Sequence, residues 1–237
     1  MTYYNPSEEL LLRPFDLKLM SNSPLILLIG KFKNSLQSFL NMYLNHVDYE
    51  TFDFYTGGNK DQDKFFRTLY RNSQHEQEEM EKKNDLGYYY DKQNRSQKSI
   101  FVTSAEFASN HNYPLYQSDT FISFRKFVDN HYVLDTTMII LLTLDMNNKK
   151  NIIMPLYLNP NINYIFFALD LDVDPDILQT IYKHYIGLFG SFGKFVDVYK
   201  YLAYRTAGFG YLVIDRKNYY SNCFTNHVKF LDLRLID

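Results

Sequence analysis

One stretch near the amino terminus has the spacing of a site that could bind phosphate. Pro24–Ile29 (PLILLI) is apolar and of strand length, Gly30 ends it, and Asn34–Asn45 is predicted to form a helix. A strand, a glycine, a short loop and a helix make the layout of the phosphate loop G-x-x-x-x-G-K-[ST]. In that loop, backbone N–H groups hold phosphate oxygens, the lysine neutralises their charge, and the hydroxyl binds magnesium.

The chemical groups of such a loop are missing at the expected positions. Counted from the first glycine, the second glycine falls on Ser35, the lysine on Leu36 and the hydroxyl residue on Gln37. Leu36 has neither a charge nor a donor, and Gln37 is a poor magnesium ligand, although Ser38 beside it could substitute. The candidate phosphate loop comprises Gly30, Lys31, Ser35, Leu36, Gln37 and Ser38.

Composition limits the classes of function. The 237 residues carry 25 Lys and Arg against 27 Asp and Glu, so the net charge of −2 gives no global attraction to nucleic acid. The single Cys223 excludes an internal disulfide and a cysteine metal site, and favours a reduced, intracellular setting. The apolar runs are shorter than the roughly 20 residues that span a bilayer, so a soluble protein without membrane contact is expected.

No metal site is predicted. The histidines never pair at helical spacing and few have acidic neighbours, so they do not form a ligand set along the chain. They are His46, His75, His111, His131, His184 and His227.

The elements that must position the loop alternate between strands and helices. Several strands are apolar throughout, which is typical of a parallel sheet that is buried on both faces. We therefore predict a single three-layer α/β domain over residues 1–237, with a mainly parallel central sheet covered by helices. Strands are expected at 24–29, 49–56, 100–103, 138–144, 163–169, 210–214 and 228–233, and helices at 34–45, 118–129, 174–185 and 194–202.

Residues 57–98 differ from the rest in composition. They are dominated by polar and charged side chains, including HEQEEMEKKND. We interpret this region as a polar, mobile insertion, part of which forms a solvated helix. A docking surface for a partner is the alternative.

Taken together, several segments resemble the genome-packaging ATPases of large DNA viruses, which belong to the FtsK/HerA branch of P-loop motors. ILLIGKFKNSLQSFL is similar to the family text ILIVGKRNSGKSTLI, and LNPNINYIFF to LRSNIDYVF. IYKHYIGLFGSFGKFVDVYKYL and GYLVIDRKNYYSN resemble the family's carboxyl-terminal stretch. The segments are colinear and cover roughly three quarters of the chain, so the resemblance implies a P-loop NTPase fold.

The resemblance also implies where the other catalytic groups should lie, and this sequence departs from each. The acidic pair that ends the second conserved strand falls on Ser104-Ala105 or on Ala105-Glu106. Glu106 is a candidate catalytic base, with an exposed loop glutamate as the alternative. The sensor glutamine position reads Asp145, and the interface arginine reads Asn159.

Replacement groups are conceivable at three places. Lys31 or Lys33 could take over from the missing lysine, and Arg125 on a predicted helix could take over from the missing arginine. Because phosphoryl transfer depends on positioned charge, four simultaneous losses favour a catalytically inactive relative over an enzyme.

Three functions therefore remain open. The preferred one is a structural or regulatory binding protein in DNA packaging or virion assembly; the others are an active divergent packaging ATPase and a repurposed capsid- or nucleic-acid-binding module. Expected partners are viral packaging or capsid proteins, a second copy or an active paralogue, with DNA also conceivable. No cofactor is expected unless the altered loop still binds ATP and magnesium. The expected location is the viral factory in the host cytoplasm or the virion.

Overall fold

The computed structural model describes residues 12–55, 60–72, 98–105, 114–117, 120–123, 135–144, 162–185, 189–217 and 227–236. Nine strands occur in these ranges. They are β1 (Leu25–Gly30), β2 (Thr51–Tyr55), β3 (Ser99–Ser104), β4 (Pro114–Gln117), β5 (Thr120–Ser123), β6 (Thr136–Thr143), β7 (Tyr164–Leu169), β8 (Gly210–Asp215) and β9 (Val228–Asp232).

Seven strands form one sheet in the order β2-β3-β6-β1-β7-β8-β9. The five strands from β2 to β7 in this order are parallel, whereas β8 pairs antiparallel with both β7 and β9. All six residues of β1, β3, β7 and β8 are buried. Burial on both faces explains the uninterrupted apolar runs. The strand pairing confirms the prediction of a mainly parallel central sheet.

Helices cover both faces of this sheet. They are α1 (Gln37–His46), α2 (Lys60–Asn72), α3 (Pro175–Tyr185) and α4 (Phe192–Arg205). One core packs α3 and α4 onto the sheet face that carries Leu27, and the other packs α1 and α2 onto the face that carries Ile26. The three-layer architecture is therefore confirmed. In the described part of the chain, no helix is both long and apolar enough to cross a membrane.

Local capping sets where α3 and α4 begin. The Asp174 carboxylate accepts a hydrogen bond from the backbone N–H of Asp176 at 2.8 Å, and Pro175 occupies the first helical position. Ser191 accepts from the N–H of Lys194 at 3.2 Å, which starts α4 two residues earlier than predicted. Both helices follow the sequence prediction in place and type.

The predicted helix at 118–129 is wrong where the structure describes it. Residues 120–123 form β5, which pairs antiparallel with β4 in the register Leu115↔Ile122 and Tyr116↔Phe121. Cross-strand pairing of β-branched and aromatic residues favours a hairpin over the single helical face that the phenylalanines indicated. Residues 124–134 lie outside the described part.

Candidate phosphate-loop site

The candidate loop lies at the carboxyl edge of the parallel strands. Gly30 ends β1 and pairs with Thr143 at the end of β6, while Ile29 pairs with Phe167 of β7. Open parallel sheets bind their ligands outside this edge, where helix N-termini meet the strand ends. Any phosphate site on this scaffold is therefore expected above Gly30.

The backbone leaves no open loop at this point. Only Lys31 separates β1 from a helical turn, Phe32–Leu36, that runs directly into α1. The N–H groups of Ser35 and Leu36 both donate to the Lys31 carbonyl oxygen, each at 3.2 Å. The bond from Leu36 spans five residues, which is the pattern of a π-helical turn. Two amides that a phosphate loop would direct at its ligand are thus bonded within the turn.

Side chains fill the space over Gly30. Leu36 is fully buried in the core between α1 and the sheet. The Ser35 hydroxyl donates to the Lys31 carbonyl oxygen at 3.0 Å. A Cβ atom on Gly30 would lie 2.7 Å from Ser35 Oγ and 2.8 Å from Ala168 Cβ. Glycine is required here by this close approach of side chains.

Tyr211 also bonds to the turn. It lies on β8, is almost fully buried, and its hydroxyl donates to the Ser35 carbonyl oxygen. Burial raises the pKa of Tyr211 well above its usual range, so the hydroxyl keeps its proton and remains a donor. No local pattern predicts this bond because its partners are 176 residues apart.

Helix α2 covers the flank of the turn. The Phe32 ring meets Phe65 edge to face, with ring centroids 5.6 Å apart, and also contacts Phe66. Gln62 is buried and donates to the Thr143 hydroxyl at 3.4 Å, beside the end of β1. Residues 60–72 were predicted as part of a polar insertion, yet this helix packs an apolar edge on the sheet. The adjacent phenylalanines were the signal, and residues 73–97 lie outside the described part.

Lys31, directly before the turn, and Lys33, within it, both face carboxylates. Lys31 Nζ lies 2.6 Å from an Asp170 carboxylate oxygen, just beyond the end of β7. Lys33 Nζ lies 3.4 Å from Asp61 in an exposed pair on α2. Burial acts to raise the pKa of Asp170, but Lys31 and the N–H of Asp172 outweigh it and hold that pKa below its ordinary value. Asp170 is therefore ionised at neutral pH and competes with any anion for Lys31.

The remaining loop candidates lie on the helix. Gln37 is half-buried and Ser38 is exposed, at the first two positions of α1. The turn before them is closed by the bonds from Ser35 and Leu36 to the Lys31 carbonyl oxygen. A magnesium-binding role for Ser38 stays a prediction.

Strand β3 is the one that the resemblance equates with the family's acid-bearing strand. Among the described residues, it ends without a carboxylate. Ser104 is the last residue of β3, and both Ser104 and Ala105 are buried. The Thr103 hydroxyl is also buried and has no hydrogen-bond partner among the described residues. Within those residues, no three His, Cys, Asp or Glu side chains lie together as a metal site. Glu106, Arg125, Asp145 and Asn159 fall outside the described part.

The amino edge of the sheet differs from this closed edge. It carries a cavity of about 610 Å³ between the end of α1, the segment before β1 and the carboxyl-terminal residues. Tyr43 and Thr137 line it, as do Ser23 and Asp135, which share a hydrogen bond of 2.6 Å. Burial raises the pKa of Tyr43 to about 12, against a smaller lowering by the bond to Thr137. This cavity thus lies at the edge of the sheet opposite the candidate loop.

Comparison with known proteins gives structural neighbours only. No known family profile and no curated protein sequence matches the chain. The DNA-packaging ATPase B204 of Sulfolobus Turreted Icosahedral Virus has a TM-score of 0.49 at 10% identity, over 90% of this chain and 98% of its own. The genome packaging NTPase B204 of Sulfolobus turreted icosahedral virus 2, in complex with ATP-gammaS, has a TM-score of 0.40 at 10% identity and the same coverage. Membership of the packaging-ATPase family stays a prediction from the sequence.

Proposed function

We propose that this chain is a non-hydrolysing P-loop-fold relative of viral genome-packaging ATPases that acts by binding. Its role is structural or regulatory, in DNA packaging or virion assembly. One observation carries the proposal: Leu36, at the position of the phosphate-binding lysine, is a fully buried core residue. The carboxyl edge then serves as packed architecture.

Physical chemistry supports the loss of turnover. Phosphoryl transfer is catalysed almost entirely by positioning and charge neutralisation, and removing a single positioned donor typically costs about 10²–10³ in rate. Here the lysine position is apolar, and the amides of Ser35 and Leu36 are bonded to Lys31. A phosphate at this point would have to displace the Leu36 side chain and break those bonds.

The packaging context has a separate basis. It rests on the colinear sequence segments that resemble packaging ATPases. The B204 proteins are described as packaging enzymes, and one of them binds an ATP analogue. Under the proposal, this chain keeps the scaffold and contacts other packaging or capsid proteins, in the viral factory or the virion.

A hydrolysis assay tests the proposal. Purified protein is incubated with millimolar Mg-ATP, with and without double-stranded DNA, and phosphate release is followed. We expect no magnesium-dependent release above buffer. The Lys31→Ala variant tests rescue by that lysine, with Lys18→Ala, an exposed lysine away from the turn, as its matched control.

Two outcomes are decisive. Release that requires magnesium and is abolished by Lys31→Ala but not by Lys18→Ala would mean an active divergent ATPase, and would overturn the proposal. The absence of magnesium-dependent release above buffer in all three proteins supports it.

A further inference from the structure

The end of α4 presents a group of aromatic side chains to solvent. The exposed fractions of Tyr204 and Phe209 are 84% and 60%, and that of Tyr201, one helical turn before Tyr204, is 37%. The turn between α4 and β8 joins them. In this turn, the Ala207 N–H donates to the Tyr204 carbonyl oxygen, and the Phe209 N–H donates to the Thr206 carbonyl oxygen. Single exposed apolar residues are ordinary, whereas three around one turn form a patch.

Cationic side chains surround this patch. Lys200 and Arg205 are exposed on α4, and Arg234 reaches the helix end by donating to the Arg205 carbonyl oxygen at 2.8 Å. Arg234 also forms an ion pair of 2.7 Å with Asp232. The net charge of these four residues, three cations and the Asp232 carboxylate, is 3 − 1 = +2. We call Lys200, Tyr201, Tyr204, Arg205, Phe209 and Arg234 the aromatic–arginine surface.

The backbone that carries the aromatic–arginine surface and the Arg205 side chain are held in place. The Arg205 guanidinium lies over the Phe230 ring, 4.6 Å from its centre. The Thr206 hydroxyl donates to the Leu202 carbonyl oxygen at 2.9 Å, and Leu233 N–H donates to Phe209 at 3.0 Å. A backbone and an arginine that are already fixed lose little further freedom on binding, so less of the affinity for a partner is spent on ordering them.

The composition favours a protein over a nucleic acid. Tyrosine and arginine are the side chains most enriched among residues that dominate protein–protein binding energy. A protein that grips a nucleic acid by its backbone commonly neutralises about 6–10 phosphates. This surface has three cations, of which Arg234 is already paired and Arg205 stacks on Phe230. The net charge of +2 is complementary to a few carboxylates.

We propose that the aromatic–arginine surface binds a protein segment in which carboxylates flank an apolar anchor side chain. The anchor packs between Tyr204 and Phe209, and the carboxylates meet Lys200 and Arg205. This inference deepens the proposed function and rests on it, because it locates the surface through which a binding protein would act.

A random peptide library displayed on yeast tests the inference against the full folded chain. We expect the selected peptides to combine Asp or Glu with an aromatic residue or leucine. Their affinity should fall at least about tenfold for Tyr204→Ala and for Phe209→Ala, and also for Lys200→Glu. Leu19→Ala is the matched control, since Leu19 is 78% exposed away from this surface. Thermal unfolding checks that each variant folds.

Each other outcome overturns the inference. These are selected peptides that lack acidic residues, peptides that bind the Tyr204→Ala protein unchanged, or no enrichment at all. Salt-sensitive binding of a thymidine oligonucleotide that Tyr204→Ala abolishes would assign the surface to nucleic acid. Self-association lost in that variant would assign it to a second copy. Hydrolysis is measured separately, so failure here leaves the inactive-loop proposal standing.

Discussion

The two edges of one sheet contrast in this molecule. At the carboxyl edge, β1 passes through a single residue into a helical turn, and Leu36 and Ser35 fill the space above Gly30. At the amino edge, the first residues of β3 and β6 border a cavity of about 610 Å³. Parallel sheets of this kind ordinarily bind ligands at the carboxyl edge. In this molecule, the edge at which such sheets ordinarily bind ligands is packed as core.

Chain geometry accounts for the contrast. The short link after β1 brings an apolar side chain directly onto the sheet, where it is held by the core. Before β1 and β6, Ser23 and Asp135 adopt left-handed backbone conformations with φ of 50° and 48°, and their side chains bond each other. Those turns keep the chain outside the amino edge, so space remains there.

Replacing Leu36 should have the largest effect on the contrast. Leu36→Lys buries a charge that has no partner, and Leu36→Ala leaves a cavity. We expect the lysine variant to lose about 3–5 kcal/mol of unfolding free energy and the alanine variant about 2–5 kcal/mol. Urea denaturation measures both.

Leu17→Ala is the matched control for Leu36→Ala, because Leu17 lines the amino-edge cavity and is only half-buried. It should cost about 1 kcal/mol or less, in proportion to the smaller apolar area that it buries. A Leu36→Lys protein as stable as the wild type would mean that this position faces solvent, and the closed edge would be refuted.

Gly30→Ala tests how tightly the carboxyl edge is filled. The added Cβ would fall within 3 Å of both Ser35 Oγ and Ala168 Cβ. We expect a loss of about 1–3 kcal/mol from overpacking, read from the midpoint of chemical unfolding. At Gly193 an added Cβ meets nothing within 4 Å. Gly193→Ala in α4 should therefore be neutral or stabilising by up to about 1 kcal/mol. Equal effects at the two glycines would contradict a filled edge.

Tyr211→Phe isolates the bond that holds the turn. The substitution keeps the ring but leaves the part-buried Ser35 carbonyl oxygen without this donor. We expect a loss of about 1–2 kcal/mol and faster amide hydrogen exchange in residues 32–36. Tyr204→Phe removes a hydroxyl from an 84% exposed side chain and should change neither quantity. Unchanged exchange in Tyr211→Phe would show that the turn does not depend on this bond.

The smallest effect is electrostatic. The pKa of Asp170 in the folded state lies below its ordinary value of 3.8. The ionised carboxylate therefore stabilises the folded state, and this contribution is fully present above pH 3.8. The contribution is lost as pH falls through the lower folded-state pKa. Lys31→Met should raise the pKa of Asp170 and weaken the dependence of stability on pH in acid. Carboxyl NMR titration measures the pKa, and Lys33→Met, in an exposed pair with Asp61, should leave it unchanged.

The sequence predicted the framework better than the site. Uninterrupted apolar runs identify buried strands, and Asp174-Pro175 marks a helix start, because both signals are local. The absence of lysine at Leu36 also followed from spacing alone. The closure of the turn did not follow, since Tyr211, Asp170 and Phe65 reach it from distant parts of the chain. The error at 120–123 arose because pairing with β4 decides that segment.

Amide NMR with added Mg-ATP tests the closed carboxyl edge most directly. The spectrum is recorded as the nucleotide is raised to millimolar concentration, and the signals of residues 30–38 are followed. We predict no saturable shift in those amides, because the N–H groups of Ser35 and Leu36 are already bonded to Lys31. Saturable, magnesium-dependent shifts centred on residues 31–37 would show that the turn opens to hold phosphate, and would contradict this account.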